Sequence, residues 1–254
     1  MAPFTISQCG RHRLGRFTAL AGLDDIAHGV TTREGPAFGI EVTSEETATA
    51  ANEAADNLGF AGVAYPKQVH GGTVLRVRTP GRVGEADGLV TEVPGLAVLG
   101  RSADCPLVLA VGRRPDNSPA VGFAHASWRS TVAGITTNLV TKLQDELGVV
   151  PATIQAGIAP SAGPCCYEVG DEVRDQAMDQ LGKEAALFFQ QVNERWHFDL
   201  WSANLRQLTG AGVPASQVWG SNVCTICQGR DFWSWRTMGE AAGRFAGLIG
   251  VRNH

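Results

Sequence analysis

The sequence predicts a single α/β domain over residues 1–254, with mixed β-sheets flanked by helices. Three observations support this prediction. Short apolar segments typical of strands alternate along the chain with longer helical patterns, as in α/β folds. The chain has 254 residues and is 44% hydrophobic, which is enough for one sizeable core. Its 31 glycines and its low charged content of 18% indicate many tight turns and a pocket built from loops.

The individual elements are predicted from periodicity and turn residues, in chain order. We expect about the first 25 residues to form an N-terminal extension or an edge strand. Strands are predicted at 74–77, 96–99, 107–111, 120–125, 154–158 and 218–223. Helices are predicted at 45–58 with Gly59 as C-cap, at 131–147 ended by Gly148, and at 171–190, 200–209 and 240–250. Residues 112–119 have the composition of an exposed turn, and no internal repeat or long linker interrupts the domain.

Charge and hydropathy exclude several classes of protein. The net charge is −4, whereas nucleic-acid-binding proteins usually carry an excess of basic residues, so no nucleic-acid partner is expected. The longest apolar stretches, such as residues 106–111, are far shorter than the ~20 residues that span a bilayer, so no membrane partner is expected. Arg11, His12, Arg13 and Arg16 interrupt the N-terminal segment, which is therefore not a signal peptide. We expect a cytoplasmic protein whose six cysteines are reduced thiols.

Three short segments carry residues suited to metal chemistry. His70 stands in KQVHGGTV, Asp104 and Cys105 in SADCPLVLA, and His125 in FAHASWRST. Each segment also fits a structural role: a turn histidine in the first, a buried cysteine beside a turn aspartate in the second, and a packed Trp128 with a surface Arg129 in the third. Zinc takes nitrogen and sulfur ligands, and a catalytic site uses three from the protein. His70, Cys105 and His125 would supply that set if their strand ends converged, which the sequence alone does not show.

The C-terminal segment CTICQGRDFWSWRTMGEAAGR offers a further candidate site. The pair Cys224-x-x-Cys227 is consistent with half of a zinc site, a redox pair, or neither. A closed structural site needs a second pair, and the only other close pair, Cys165-Cys166, is adjacent and poorly spaced, so structural zinc is disfavoured here. The polar residues among the aromatics suit a planar, anion-bearing ligand; they are Ser234, Arg236 and Arg244.

Five motifs in order resemble a known family. They are QVHG, DGLVTEVPGLAV with ADCPLVLA, HASWR with VAGI, APSAGPCCYEVGDEV, and CTICQ with FWSWR and GR. From about His28 to Ile249 the chain resembles the laccase-domain family, also called the multicopper polyphenol oxidase or bacterial purine nucleoside phosphorylase family. The resemblance implies one α/β domain and a zinc site on His70, Cys105 and His125. It also implies phosphorolysis of adenosine, inosine, guanosine and methylthioadenosine, with adenosine deamination as a second activity.

The sequence departs from the family pattern beside the site. Ser127 and Ser130 replace two glycines of a HAGWRG-like run, and Thr237 replaces an arginine of an FSYRR-like run. The proposed metal ligands are intact. These departures therefore affect the expected substrate contacts more than the expected metal site.

The name laccase predicts copper chemistry that the residue counts disfavour. A multicopper oxidase needs roughly ten histidines for its copper sites, whereas this chain has six and no His-x-His pair. A single copper at the His/Cys set remains an alternative. The usual zinc deaminase signature, H-x-E with P-C-x-x-C, is also absent.

We therefore predict a zinc-dependent purine nucleoside phosphorylase with adenosine deaminase side activity, acting on a small nucleoside and phosphate as a monomer or homodimer. The predicted catalytic residues are Cys105, Asp104 and Glu168, the last assigned from the family-like YEVG motif. Residues predicted to hold substrate or phosphate are Arg33, Arg129, Ser234 and Arg236, since a guanidinium fork matches phosphate oxygens. The alternatives are a copper-binding polyphenol oxidase, a metal-binding protein without turnover, and a cysteine hydrolase using Cys105.

Overall fold

The structure is a computed structural model that describes residues 2–39 and 45–253. Over these residues the chain forms sixteen strands and seven α-helices. The strands are β1 Phe4–Cys9, β2 His12–Phe17, β3 Ile26–Thr31, β4 Gly62–Lys67, β5 Val74–Arg76, β6 Gly81–Glu85, β7 Gly88–Thr91, β8 Leu96–Ser102, β9 Leu107–Arg113, β10 Pro119–His125, β11 Gln155–Ile158, β12 Glu168–Val169, β13 Phe189–Val192, β14 Arg195–Phe198, β15 Val218–Gly220 and β16 Phe245–Val251. The helices are α1 Thr18–Ala21, α2 Glu45–Asn57, α3 Trp128–Val132, α4 Ile135–Leu147, α5 Asp171–Leu181, α6 Leu200–Gly210 and α7 Trp235–Met238.

Two large mixed sheets and one small sheet build the domain. The first has seven strands in the order β1-β2-β3-β16-β8-β4-β6, so that β1 lies at its edge. The second has six strands in the order β15-β11-β9-β10-β7-β5, and the third is β12-β14-β13. Helix α2 packs on the outer face of the seven-stranded sheet and α4 on the outer face of the six-stranded sheet. The four layers are therefore helix, sheet, sheet and helix.

The inner faces of the two large sheets share one apolar core, which includes Phe123 on β10 and Phe245 on β16. Several strand glycines make room for this contact. A Cβ on Gly100 of β8 would collide with the Phe123 ring, and one on Gly157 of β11 with the ring of Phe17. Part of the high glycine content therefore serves close packing of the two sheets, in addition to the turns predicted from the sequence.

Strand β16 corrects the helix predicted at 240–250. All seven residues of Phe245–Val251 are buried, and the strand lies between β3 and β8 in the middle of the seven-stranded sheet. Ala246 and Leu248 pack in the cluster that includes α2, whereas Phe245 and Ile249 pack in the inter-sheet core. A strand covered on both faces has no polar alternation, so its apolar run cannot be told from a buried helix by periodicity.

Two predicted helices are shorter in the structure. The helix predicted at 131–147 is divided into α3 and α4, because Gly134 adopts a left-handed φ of 74° between them. The helix predicted at 171–190 ends with α5 at Leu181. A 3-10 turn at Lys183–Phe188 and strand β13 follow it, after Gly182 turns the chain with a φ of 74°.

Candidate functional site

His70, Cys105 and His125 converge, with one ligand atom from each lying within 4.8 Å of the others. His125 is the last residue of β10, and Cys105 lies two residues before β9. The antiparallel register of these strands pairs Leu107 with His125 and so brings Cys105 to the ring. His70 lies in the loop between β4 and β5, at the same end of the sheets.

One buried carboxylate positions both histidines. Asp87 is fully buried, and its Oδ1 accepts a hydrogen bond from Nδ1 of His125 at 2.8 Å. The same carboxylate accepts backbone N–H groups from Val69 at 3.1 Å, His70 at 3.1 Å and Gly71 at 2.7 Å. The bond to Nδ1 leaves Nε2 of His125 as the metal-binding nitrogen. The backbone bonds fix the loop that carries His70.

The charges of the site are strongly coupled. Burial lowers the pKa of His125, but Cys105 and Asp87 outweigh it and raise that pKa to about 9. The pKa of His70 is lowered, first by burial and then by His125. Burial opposes ionisation of Asp87, yet its bonds with His125 and the backbone hold its pKa below the usual range. The site therefore holds compensating negative charge from Asp87 beside two imidazoles.

The donor set fits a catalytic metal centre. Two imidazoles and one thiol within 4.8 Å match the nitrogen and sulfur ligands that zinc prefers. All three residues also line one cavity, from which a ligand could reach a metal that they held. The aspartate on the far nitrogen of His125 is the usual partner of a metal-bound imidazole.

Two residues of the site have unusual backbone conformations. His70 has a φ of 60° and Asp104 a φ of 92°, which side chains other than glycine rarely adopt. Asp104 is buried, and both of its carboxylate oxygens are hydrogen-bonded: Oδ1 accepts from Thr225 Oγ1 at 2.6 Å and Oδ2 from the backbone N–H of Arg236 at 2.7 Å. These bonds favour a positioning role for Asp104 over the proton transfer that the sequence suggested.

A cavity of about 440 Å³ opens over the three donors. Its lining comprises Gln68, His70, Arg101, Ser102, Ala103, Asp104, Cys105, His125, Tyr167, Leu200, Trp235, Arg236 and Arg244. Sequence reasoning missed Asp87, Gln68, Arg101 and Tyr167 as site residues. Asp87 precedes β7, whose register places Gly88 opposite Ala124 and so Asp87 beside His125, a relation that appears only once the strands are paired.

Three arginines give the cavity a positive wall. Burial, with a smaller effect of Arg244, lowers the pKa of Arg101 to about 10, and burial also lowers the pKa of Arg244. Arg236 packs over the Tyr167 ring at 5.2 Å. Within residues 2–39 and 45–253, none of these three guanidinium groups has an ion-pairing carboxylate at 4.0 Å or less. Such a wall suits an anionic ligand.

Other residues predicted to bind or react lie away from the cavity. Glu168 is exposed, and its carboxylate pairs with Arg195 at 3.3 Å, outside the cavity lining. Arg33 is exposed and stacks over Trp233 at 4.4 Å. Ser234 is buried as the N-cap of α7, where its hydroxyl accepts the backbone N–H of Thr237. The structure therefore does not bring these three predicted residues into the cavity lining.

Arg129 lies at the edge of the site. It is exposed and packs over the adjacent Trp128 ring at 4.2 Å, and its charge contributes to the lowered pKa of His70. The serines that flank it have a structural use. Ser127 Oγ caps α3 by accepting the backbone N–H of Ser130 at 3.1 Å, and the two hydroxyls are 2.8 Å apart. These departures from the family pattern strengthen a helix start beside His125.

The remaining described histidines do not form a copper cluster. His28 is buried and accepts the backbone N–H of Phe17, His12 pairs with Glu53, and His197 bonds to a backbone carbonyl. Across the described part of the chain, the two groups of possible metal ligands are the His70 set and a set of four cysteines. A trinuclear centre built from histidines is therefore not supported by these residues.

Comparison with known proteins gives consistent matches over most of the chain. A family model described as multi-copper polyphenol oxidoreductase laccase matches residues 29–252. A purine nucleoside phosphorylase of Deinococcus radiodurans is 34% identical over 239 residues, which cover 89% of each protein. The purine nucleoside phosphorylase YlmD of Geobacillus stearothermophilus is 34% identical over 197 residues, 73% of this chain and 71% of the relative.

The fold is also found among solved structures. The crystal structure of YlmD from Geobacillus stearothermophilus superposes with a TM-score of 0.86 at 30% identity, covering 99% of this chain and 100% of the other. The mixed α/β fold predicted from the sequence is thereby confirmed. Within the described residues, no helix is both long enough and apolar enough to span a membrane.

Proposed function

Because this chain belongs to the multi-copper polyphenol oxidoreductase laccase family, whose relatives above are named purine nucleoside phosphorylases, we propose that it is a zinc-dependent purine nucleoside phosphorylase with adenosine deaminase side activity. The observation that supports this best is the placement of the His70, Cys105 and His125 donors beside three arginines in one cavity. A metal site next to a positive wall suits a reaction between phosphate and a neutral nucleoside.

The proposed substrates are adenosine, inosine, guanosine and methylthioadenosine. The cavity of about 440 Å³ is within the range of small-ligand sites, which are roughly 300–1,000 Å³. Trp235 and Tyr167 offer aromatic surface for a purine ring. Gln68 adds an amide, although its Nε2 donates to the backbone carbonyl of Arg101 at 2.9 Å, so it also supports the cavity wall.

Phosphate would bind at Arg101, Arg236 and Arg244. Arg101 and Arg244 are partly buried, so they interact with an anion more strongly than exposed arginines do. Arg236 is held by its Nη1 donating to the carbonyl of Glu168 at 2.9 Å, which orients the guanidinium. This assignment replaces Arg33 and Ser234 and keeps Arg236 from the sequence-based set.

In the proposed reaction, a phosphate oxygen forms a bond to C1′ of the ribose while the bond from C1′ to the purine nitrogen breaks. The electron pair of that bond leaves with the base, which takes up a proton, and ribose 1-phosphate remains. The arginines hold the phosphate for attack. Negative charge develops on the departing base, and groups that donate hydrogen bonds to it lower the barrier.

Tyr167 is suited to donate such a hydrogen bond. Burial raises the pKa of its phenol well above the usual range, and Cys105 raises it further. A phenol is protonated at neutral pH even without this shift, so the hydroxyl is available as a hydrogen-bond donor. The metal held by His70, Cys105 and His125 would act as a Lewis acid that polarises a ligand atom in the cavity. Deamination in the same cavity would exchange the amino group of adenosine for a water oxygen, releasing ammonia and inosine.

The phosphate assignment can be tested by steady-state kinetics with inosine at varied phosphate. We expect Arg244→Gln to raise the KM for phosphate at least tenfold while zinc content stays unchanged, because the substitution removes a cavity cation. Arg82→Gln, on exposed β6 away from the cavity, is the matched control and should leave both values unchanged. A phosphorylase whose KM for phosphate is the same in both variants contradicts the assignment, and absence of turnover in zinc-loaded protein favours a metal-binding protein without catalysis.

A cysteine hydrolase is the second candidate, because Cys105, His125 and Asp87 resemble a nucleophile, a base and an orienting acid. His125 lies within 4.8 Å of the Cys105 sulfur and is hydrogen-bonded to Asp87. Iodoacetamide separates the two functions. A metal ligand is protected when zinc is bound, so we expect alkylation of Cys105 only after chelation. Rapid alkylation in zinc-loaded protein, with loss of an ester-cleaving activity, would favour the hydrolase.

A further inference from the structure

Four cysteine thiols form a second cluster that the catalytic proposal does not use. The Sγ atoms of Cys165, Cys166, Cys224 and Cys227 all lie within 4.8 Å of one another, and those of Cys165 and Cys227 are 3.7 Å apart. Zinc binds thiolates at about 2.3 Å, so a tetrahedral site separates its sulfurs by ~3.8 Å. The cluster thus has the size of a tetrahedral four-sulfur site. It overturns the sequence argument that the adjacent pair is too poorly spaced.

The backbone brings the two cysteine pairs together. Ser161 forms a bridge with Cys224, with its N–H donating to the carbonyl of Val223 at 3.2 Å and its carbonyl accepting from Thr225 at 3.0 Å. The two loops therefore run side by side. A turn closed by the N–H of Gln228 on the carbonyl of Cys224 at 2.8 Å then places Cys227 near the other three sulfurs.

Backbone donors surround one of the sulfurs. The N–H of Gly163 donates to Sγ of Cys224 at 3.3 Å, and the N–H groups of Ile226 and Cys227 point to the same atom. Hydrogen bonds from backbone N–H groups to sulfur stabilise a thiolate and orient it, as they do around metal ligands.

A disulfide does not account for all four thiols. A disulfide bond brings two sulfurs to about 2.05 Å, whereas the sulfurs of Cys165 and Cys227 are 3.7 Å apart and all six cysteines are free thiols. One pair would also leave two thiols beside it. An iron–sulfur cluster places inorganic sulfides between its thiolate ligands and needs a wider cage than 4.8 Å allows.

We propose that Cys165, Cys166, Cys224 and Cys227 bind a second zinc ion in a closed, structural site, separate from the His70 set. With four protein ligands the site has no open position, so it serves structure and not turnover. The two loops that it would join lead directly to cavity residues: Tyr167 follows Cys166, and Arg236 lies nine residues after Cys227. Arg236 packs over Tyr167 at 5.2 Å. The ion would therefore hold the wall of the cavity in place.

The zinc content of variants tests the proposal without any activity assay. Native mass spectrometry of zinc-loaded full-length protein should find two zinc ions per chain. Cys227→Ser, which changes an exposed ligand, should lose one ion and lower the unfolding temperature, because metal-binding energy contributes directly to folding. Cys105→Ala should retain the second ion. Cys9→Ser, on strand β1 outside both sets, is the matched control and should retain both ions.

Cobalt substitution identifies the ligands if Cys227→Ser folds poorly. Cobalt-loaded Cys105→Ala should show the strong thiolate-to-cobalt absorption of a tetrahedral four-sulfur site. The proposal is overturned if the wild-type chain holds a single zinc ion and all four cluster thiols react with iodoacetamide in the native protein. It is also overturned if a disulfide between Cys165 and Cys227 is found in place of the ion, or if the bound metal is iron. Each of these results leaves the phosphorylase proposal unchanged, because that proposal depends on the site of His70, Cys105 and His125.

Discussion

Replacing Asp87 by asparagine tests how the candidate metal site is held. The carboxylate accepts four hydrogen bonds, from the Nδ1–H of His125 and from three backbone N–H groups of the loop around His70. Asparagine has nearly the same shape but only one acceptor oxygen. If that oxygen faces the backbone donors, the amide NH₂ faces Nδ1 of His125. The imidazole must then carry its proton on Nε2, the nitrogen that should bind the metal.

We expect Asp87→Asn to lower both the stability of the protein and its affinity for zinc. Each hydrogen bond to a charged group contributes about 1.5–3 kcal/mol to stability, and Asp87→Asn weakens several while retaining others, so we expect the free energy of unfolding to fall by about 2–4 kcal/mol. Loss of the group that orients a metal-bound histidine typically costs 10–100-fold in metal affinity. We therefore expect zinc affinity at the His70 set to fall by about that factor, and phosphorolysis to fall with it.

Competition with a chromogenic chelator measures the affinity, and urea denaturation measures the stability. Asp145→Asn, an exposed carboxylate on α4, is the matched control and should change neither quantity. A zinc affinity in Asp87→Asn within about twofold of wild type would refute the reasoning, since loss of an orienting partner should cost roughly 10–100-fold. Loss of stability alone, with unchanged affinity, would mean that Asp87 supports the fold but not the metal site.

Three further predictions concern the scaffold. Burial, with a smaller effect of Arg16, lowers the pKa of His28 from 6.5 to about 3, so the unfolded chain takes up the proton first as pH falls. Stability should therefore drop by about 2 kcal/mol between pH 7 and pH 5 in urea titrations, and His28→Gln should lack this component. Ser127→Ala removes the cap of α3 and should cost about 1 kcal/mol in the same assay, whereas Ser127→Gly, the family residue, should cost only a few tenths. Gly100→Ala places a methyl against the ring of Phe123 and should lower the free energy of unfolding by about 1–3 kcal/mol, while Gly84→Ala, in open space, should not.

The strands that carry the candidate ligands were predictable because their sequences are short, apolar and bounded by turn residues. The predictions for 96–99, 107–111 and 120–125 fall within β8, β9 and β10. Cys105 and His125 could therefore be assigned to strand ends, whereas His70 lies in the loop between β4 and β5. Their convergence could not be predicted, because it depends on which strands pair and in which register.

The parts that sequence reasoning missed depend on tertiary contacts. In the sequence Asp87 looks like an ordinary turn aspartate, and only the pairing of β7 with β10 shows that it lies beside His125. A helix is predicted from the composition of residues 240–250, yet burial on both faces makes Phe245–Val251 the strand β16. The adjacent Cys165 and Cys166 match no ligand spacing within one loop, and only the neighbouring turn supplies the other two sulfurs. The neighbouring sequence does not show that Arg101 lines the cavity, because its position there depends on how the strands and loops pack around it.

The measurement that tests the account most directly is product analysis after zinc-loaded protein is incubated with adenosine, with and without phosphate. The account predicts that ribose 1-phosphate appears only when phosphate is present, in an amount equal to adenine plus any hypoxanthine formed by way of inosine, and that Cys105→Ala abolishes these products. Release of adenine with free ribose in the absence of phosphate, or no adenine from zinc-loaded protein that retains its metal, would contradict the central claim.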